Sequence, residues 1–158
     1  METKVSSATK EVLITAAGPT VLIGERINPS GKKKLAAALK ISDFDAICRE
    51  AVAQVETGAN ILDINVACSG VDGTAVLPKV IEKVMASVDV PLCIDINNPA
   101  ALRETLKVYK GKPIVNSVTG EENSLDEILP LVKEYGAAVI GLTIDDEGIP
   151  QDSDRRVA

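Results

Sequence analysis

Several short apolar stretches of this sequence end in side chains that can form more than one hydrogen bond. One stretch contains Asp63 and Asn65, the next closes with Asp95 and Asn97, and a third contains Asn116. A carboxylate accepts two hydrogen bonds, whereas an asparagine amide both donates and accepts. The sequence has no histidine, so Ser-His-Asp and Cys-His catalysis are excluded, and acid–base chemistry is left to Asp, Glu, Lys, Tyr or water. These residues are therefore candidates for binding a small polar ligand.

The glycines and lysines of "VLIGERINPSGKK" do not form a phosphate-binding loop. A P-loop needs two glycines separated by four residues, followed by Lys and then Ser or Thr. Here Gly24 and Gly31 are too far apart, and Lys33 stands where the hydroxyl residue should be. The dinucleotide pattern G-x-G-x-x-G is also missing. We expect a loop in which Lys32–Lys34 are exposed to solvent.

The composition excludes several other classes of function. A net charge of −6 and an aromatic content of 2% argue against nucleic-acid binding. The cysteines, Cys48, Cys68 and Cys93, form no C-x-x-C pair, and without histidine a zinc site is not expected. Their odd number and wide spacing favour a reducing, cytoplasmic compartment. Charged residues interrupt the first 20 residues, so we expect neither a signal peptide nor a membrane span.

The candidate residues must be positioned by strands and helices that alternate along the chain. Segments with apolar residues every three or four positions separate the strand-like stretches, which predicts parallel strands joined by helical crossovers. We expect three of these helices to start at Ser42, at Asn98-Pro99 and at a capping box formed by Ser124 and Glu127. Either an open doubly wound sheet or part of a (β/α)8 barrel fits. Every stretch has a polar end, as at a barrel mouth, so we predict the barrel. The stretches are Val21–Ile27, Ile61–Val66, Pro91–Ile96, Pro113–Val118 and Ala137–Ile144.

The length of the chain limits how much of a barrel it can form. A complete barrel takes about 250 residues, and this chain has 158. We therefore predict an α/β fold made of the N-terminal portion of a TIM barrel, about five β/α units. Residues 1–20 are expected to be a tail or linker, and residues 21–158 a barrel domain cut short at its C-terminal end. The alternative is a compact five-stranded domain.

Five segments in order carry a resemblance to a known family. They are "LIGERINPSGKKK", "ILDINV", "LCIDINN", "PIVNSVTGE" and "GAAVIGLTIDDEGIPQDSDRR". Together they resemble the pterin-binding family, in particular the methyltetrahydrofolate methyltransferases that act on corrinoid proteins. The same domain occurs in cobalamin-dependent methionine synthase. Dihydropteroate synthase is a more distant relative, because the chain has "INPSGKK" and "NVACSGVDG" where the synthase motifs would stand.

The resemblance assigns roles to the polar strand ends. Asp95 and Asn116 match the positions that hold the pterin ring, and Asn116 is also assigned the catalytic role. The alternative interpretation of Asp95 is a helix N-cap, and that of Asn116 a turn residue. Asp63 and Asn65 would support the pocket or form a satisfied polar layer inside the barrel. Asn97 and, at the first strand, Asn28 complete the expected set of pterin-binding residues, with no metal ligand.

The resemblance also implies a reaction and a partner. The N5 methyl group of methyltetrahydrofolate would pass to cob(I)alamin carried by a corrinoid protein or domain, while the chain itself binds no metal. A homodimer is expected for the complete barrel, and neither nucleic acid nor membrane is expected as a partner. The remaining alternatives are a pterin enzyme similar to dihydropteroate synthase and a non-catalytic half-barrel.

Overall fold

A computed structural model describes residues 2–157. Five parallel strands form one sheet in sequential order, β3-β4-β5-β6-β7, and a separate antiparallel hairpin precedes them. In chain order the elements are β1 (Glu2–Ser6), β2 (Glu11–Thr15), β3 (Ile23–Ile27), α1 (Lys33–Lys40), α2 (Phe44–Glu56), β4 (Ile61–Ile64), α3 (Gly73–Ser87), β5 (Leu92–Asp95), α4 (Pro99–Val108), β6 (Ile114–Thr119), α5 (Glu122–Tyr135), β7 (Ala138–Leu142) and α6 (Ser153–Val157).

All the helices that contribute to the core lie on one face of the sheet. Leu62, Ile64, Leu92 and Ile94 of the central strands pack in one buried cluster with apolar residues of α1 to α5. A doubly wound sheet carries helices on both faces, whereas a barrel carries them outside only. The predicted barrel arrangement is therefore confirmed, as five β/α units of a TIM barrel.

The other face of the sheet, which is the inside of the barrel, divides into an apolar and a polar layer. Successive side chains of a strand point to opposite faces, so residues two apart share a face. Ile61, Cys93 and Ile114 form a buried layer on this inner face with Val5 of the hairpin. The next inward positions are Asp63, Asp95 and Asn116. Each of these three strands thus passes from an apolar bottom to a polar top within two residues.

The hairpin occupies the region for which the sequence predicted a tail or linker. β1 and β2 pair from Glu2 with Thr15 to Ser6 with Glu11. Val5 is fully buried, and Ser6 exchanges backbone hydrogen bonds with Lys112, which precedes β6. The N-terminal residues fold into a hairpin because they cover the apolar layer that the sheet leaves open. We call the hairpin together with Ile61, Cys93 and Ile114 the floor of the barrel.

Helix starts follow the predicted capping chemistry at one site and differ at others. Asn98 caps α4 through its side chain, which accepts from the Ala101 amide, and Pro99 is the first helical residue, as predicted. Helix α2 is capped by Asp43, whose carboxylate accepts from Ala46, rather than by Ser42. Ser42 instead has a positive φ of 57°.

The predicted loop of Lys32–Lys34 and the predicted capping box at Ser124 also differ from the structure. Lys33 and Lys34 already belong to α1, since lysine is a good helix former. Helix α5 begins at Glu122. Ser124 does not cap the helix but accepts a hydrogen bond from the backbone amide of Thr119 in β6. Among residues 2–157, no helix has the length and apolar character needed to cross a bilayer.

Candidate functional site

An open cleft lies at the ends of β5 and β6, where the sheet meets the start of α5. Its volume is about 470 Å³, within the usual range for small-molecule sites, which runs from about 300 to 1,000 Å³. We call it the mouth cleft. Its polar lining includes Asn65, Asp95, Asn97, Asn116, Ser117 and Glu127.

Asp95 and Asn116 lie side by side in this cleft. Parallel pairing of β5 and β6 places them directly opposite each other in the register. Both side chains are half-buried, with their backbones fixed in the sheet. The strands therefore hold a carboxylate and an amide next to each other, facing the same opening.

Two hydrogen-bonded pairs hold these side chains from behind. The Asn65 amide donates from Nδ2 to Oδ2 of Asp95 at 2.8 Å. The Asn116 amide donates from Nδ2 to Oδ2 of Asp63 at 3.1 Å. Asn65 and Asp63 both come from β4 or its exit, so one strand positions the functional groups of the next two.

Asp63 lies beneath the cleft and does not line it. Its side chain is 3% exposed, and its Oδ1 atom is buried without a hydrogen-bond partner among the described residues. Burial is the main cause that raises the pKa of the Asp63 carboxyl above its usual value, and the charges of Asp95 and Glu25 act in the same direction. Hydrogen bonds that the Asp63 carboxylate receives from the Cys93 thiol and from Asn116 oppose them. A carboxylate in this position is costly, because burial removes water and its hydrogen-bonding capacity is only partly satisfied.

Of the two remaining predicted site residues, one lines the mouth cleft and the other does not. Asn97 is exposed and lines the mouth cleft. Asn28 is not among the lining residues, because its side chain stabilises the turn after β3. Its Nδ2 donates to Glu25 Oε1 at 2.7 Å, and its Oδ1 accepts from the Ser30 amide at 3.0 Å.

Sequence reasoning did not assign the outer wall of the cleft. Ser117, Thr119, Glu121, Asn123, Ser124 and Glu127 line it from the end of β6 and the first turns of α5. The Thr119 hydroxyl donates to Glu121 at 2.8 Å, which fixes the strand-to-helix turn. The sequence signal for this outer wall is the polar run "NSVTGEENS". Its residues can be placed in the cleft only when the start of α5 is known. Among residues 2–157, no group of three or more Cys, Asp or Glu side chains could hold a metal ion.

Curated proteins of known activity are similar to most of the chain. It is 31% identical over 161 residues to the methionine synthase of Mycobacterium tuberculosis, covering 99% of this chain and 14% of that protein. It is 32% identical over 145 residues to the methylcorrinoid:tetrahydrofolate methyltransferase of Eubacterium limosum, covering 87% of this chain and 51% of that enzyme. The chain thus spans about half or less of these relatives.

Solved structures are similar in fold. The dihydropteroate synthase of Vibrio fischeri matches with a TM-score of 0.58 at 19% identity, over 88% of this chain and 48% of that one. The synthase of Xanthomonas albilineans matches with a TM-score of 0.55, over 88% and 49%. The half-coverage agrees with a partial barrel. Residues 24–157 match the family described as pterin binding enzyme, so the chain belongs to the pterin-binding enzyme family.

Proposed function

We propose that the chain binds the pterin ring of methyltetrahydrofolate in the mouth cleft and serves the transfer of its N5 methyl group to cob(I)alamin on a corrinoid partner. The observation that carries the proposal is the neighbouring pair Asp95 and Asn116, each held from behind by a residue of β4 or its exit. Similarity to a methionine synthase and to a methylcorrinoid:tetrahydrofolate methyltransferase supports methyl transfer rather than pterin synthesis.

The available hydrogen-bonding atoms fit a pterin. Among the described residues, Asp95 receives its side-chain hydrogen bond on Oδ2, so Oδ1 is left for a ligand. An ionised carboxylate is an acceptor only and suits the amino and ring N–H groups of the amino-pyrimidinone edge. Asn97, at the rim of the same cleft, can add a further contact.

The chemistry asks the protein for orientation and for activation of the leaving group. A tertiary amine is a poor leaving group, so N5 needs a proton or a strong hydrogen bond before the methyl group departs. Reduced cobalt on the partner is the nucleophile, and the chain therefore needs none. An amide does not ionise, so the role proposed for Asn116 is to touch and orient the substrate by hydrogen bonding. The homodimer expected for a complete barrel stays a prediction.

Calorimetric titration with methyltetrahydrofolate tests the proposal. Asp95→Asn keeps the shape but places a donor where the ligand has donors, so binding should weaken by about 1–3 kcal/mol. Asn116→Ala should weaken binding by a similar amount. The control is Asp72→Asn, because Asp72 caps α3 outside the cleft and asparagine caps equally well.

Two outcomes would contradict the proposal. One is a parent chain that shows no binding at millimolar methyltetrahydrofolate. The other is an Asp95→Asn variant that binds as well as the parent while Asp72→Asn binds less well.

A further inference from the structure

We propose that Asp63 is a positioning residue that fixes the orientation of the Asn116 side-chain amide and so makes the mouth cleft selective for ligand edges that donate hydrogen bonds. The selectivity part rests on the proposed function, which supplies the pterin. The positioning part rests only on contacts within this chain.

The hydrogen bond to Asp63 determines the direction of the Asn116 side-chain amide. An ionised carboxylate can only accept, so the atom of Asn116 that faces Asp63 Oδ2 at 3.1 Å must be the NH₂ group. The carbonyl Oδ1 of the same amide is then turned away from Asp63. Because Asp63 lies beneath the cleft and Asn116 lines it, Oδ1 faces the ligand side.

Asn65 fixes the orientation of the Asp95 carboxylate in the same way. The Oδ1 of Asn65 accepts from the backbone amide of Ala67 at 2.7 Å. This backbone bond settles the orientation of the Asn65 amide, which leaves its NH₂ group for Asp95 Oδ2. Asp95 Oδ1 therefore remains for the ligand. The cleft presents two acceptor oxygens, one on each of two neighbouring strands, and neighbouring strands of a sheet lie about 4.8 Å apart.

The buried group that orients Asn116 is a carboxylate, which can accept hydrogen bonds but cannot donate them. Asp63 is almost fully buried, and its carboxylate receives hydrogen bonds from Asn116 and from the Cys93 thiol, a weak donor, while its Oδ1 has no N–H or O–H partner among the described residues. The groups that face it are the Cys93 thiol and Asp95 of β5, Asn116 of β6 and Glu25 of β3. A neutral group at this position that can donate, such as an amide, could bond to Asn116 Oδ1 instead. The Asn116 amide would then be free to turn its NH₂ group toward the ligand.

Hydrogen exchange of side-chain amides tests the positioning without any ligand. In the parent chain labelled with ¹⁵N-asparagine, the Asn116 NH₂ signals should exchange more slowly than those of Asn97, which is exposed. In Asp63→Asn the Asn116 signals should shift and exchange faster, while Asp72→Asn should leave them unchanged. The comparison of Asn116 with Asn97 is made within the parent chain, so it does not depend on whether a variant folds. Equal exchange for Asn116 and Asn97 in the parent would overturn the proposal.

Selectivity is measured with two ring systems that differ in the group at C2 and, as a consequence, in the proton on the adjacent N1. Pterin carries a 2-amino donor, and lumazine carries a carbonyl acceptor at the same position. The parent and Asp72→Asn should prefer pterin by about tenfold or more, and Asp63→Asn should reduce that preference to about threefold or less. An unchanged preference in a folded Asp63→Asn variant would overturn the proposal. A parent that binds neither ring would contradict the proposed function instead, and the exchange measurement would still decide the role of Asp63.

Discussion

The two ends of the inner face of the sheet have opposite characters although they are built from the same strands. At the floor, Ile61, Cys93 and Ile114 pack against Val5 of the hairpin. Two residues further along each strand, the mouth cleft begins with a layer of carboxylates and amides. The change from apolar to polar takes place over about 7 Å.

The polar groups at the floor are paired within the protein. The Tyr109 hydroxyl donates to the Ser6 carbonyl at 2.9 Å and accepts from the Leu92 amide at 3.0 Å. The Ser7 and Thr9 hydroxyls both donate to the Asp89 carboxylate. At the mouth, by contrast, acceptor atoms of Asp63 and Asp95 are left without such partners among residues 2–157. The floor thus stabilises the fold, while the mouth keeps the unpaired acceptor atoms that the proposed ligand would use.

The largest effect on stability is expected at Gly111, where the chain passes under the hairpin. A Cβ atom there would lie 2.4 Å from the backbone oxygens of Ser6 and Ser7, at a φ of +123°. Gly111→Ala should therefore lower the free energy of unfolding by about 3 kcal/mol or more. Gly58→Ala is the matched control, because Gly58 has a φ of +106° and open space around it.

Urea denaturation of both variants separates backbone strain from collision with the hairpin. Gly58→Ala should cost only the strain of a positive φ, about 1–2 kcal/mol. If the two variants are equally destabilised, the hairpin does not press on Gly111 in solution, and the description of the floor is wrong.

Tyr109→Phe should give the next largest effect. The change keeps the ring but leaves the Leu92 amide and the Ser6 carbonyl without their shared partner, which should cost about 1–3 kcal/mol. Chemical denaturation measures this loss. Methyltetrahydrofolate binding should hardly change, and a large loss of binding in the folded variant would show that floor and mouth are not independent.

Alkaline pH should weaken the floor in the parent chain. Burial raises the pKa of Tyr109 from 10.0 to about 12. Below pH 10 the phenol is protonated in both states, whereas between pH 10 and 12 the unfolded chain releases the proton first, so stability falls as pH rises. The loss should reach up to about 2 kcal/mol, reduced by the partial exposure of the ring. Stability curves of the parent and Tyr109→Phe, recorded from pH 9 to 12, should converge; curves that stay parallel would contradict this cause.

The smallest effect, and one of opposite sign, is expected at Asp63. Because burial raises the pKa of its carboxyl, the ionised form opposes folding at neutral pH, and this cost disappears as the carboxyl becomes protonated in acid. Asp63→Asn should therefore raise the free energy of unfolding at pH 7 by about 1 kcal/mol, and the gain should shrink toward pH 4. Thermal unfolding at both pH values checks it. If Asp63→Asn instead lowers the free energy of unfolding as much as Tyr109→Phe does, the polar layer at the mouth stabilises the fold in the way that the floor does.

The sheet was predictable because its signal is local. Each apolar run of strand length became a strand, and the polar residues at the ends of β4, β5 and β6 reached the mouth cleft because parallel strands share one direction. Asp95 and Asn116 were predicted for the same reason. The Asn98-Pro99 start of α4 also depends only on adjacent residues.

The floor and the pairing beneath the cleft were not predictable because they depend on distant contacts. The hairpin strands are five residues each, joined by a turn without glycine or asparagine, and Val5 is buried only because Ile61 and Ile114 lie beneath it. The bond from Asn116 to Asp63 joins β6 to β4 across β5. Strand order and register must both be known before such a pair can be inferred.

Because Cys93 is buried in the floor, the reaction of its thiol with a reagent reports when the hairpin opens. The thiolate is the form of a cysteine that attacks thiol reagents, and burial together with the charge of Asp63 raises the pKa of the Cys93 thiol well above its usual value. Cys48 and Cys68 are partly exposed and should react first. The rate at which the third thiol reacts then measures how often the hairpin leaves the barrel, so the lifetime of the closed floor can be timed without introducing any label.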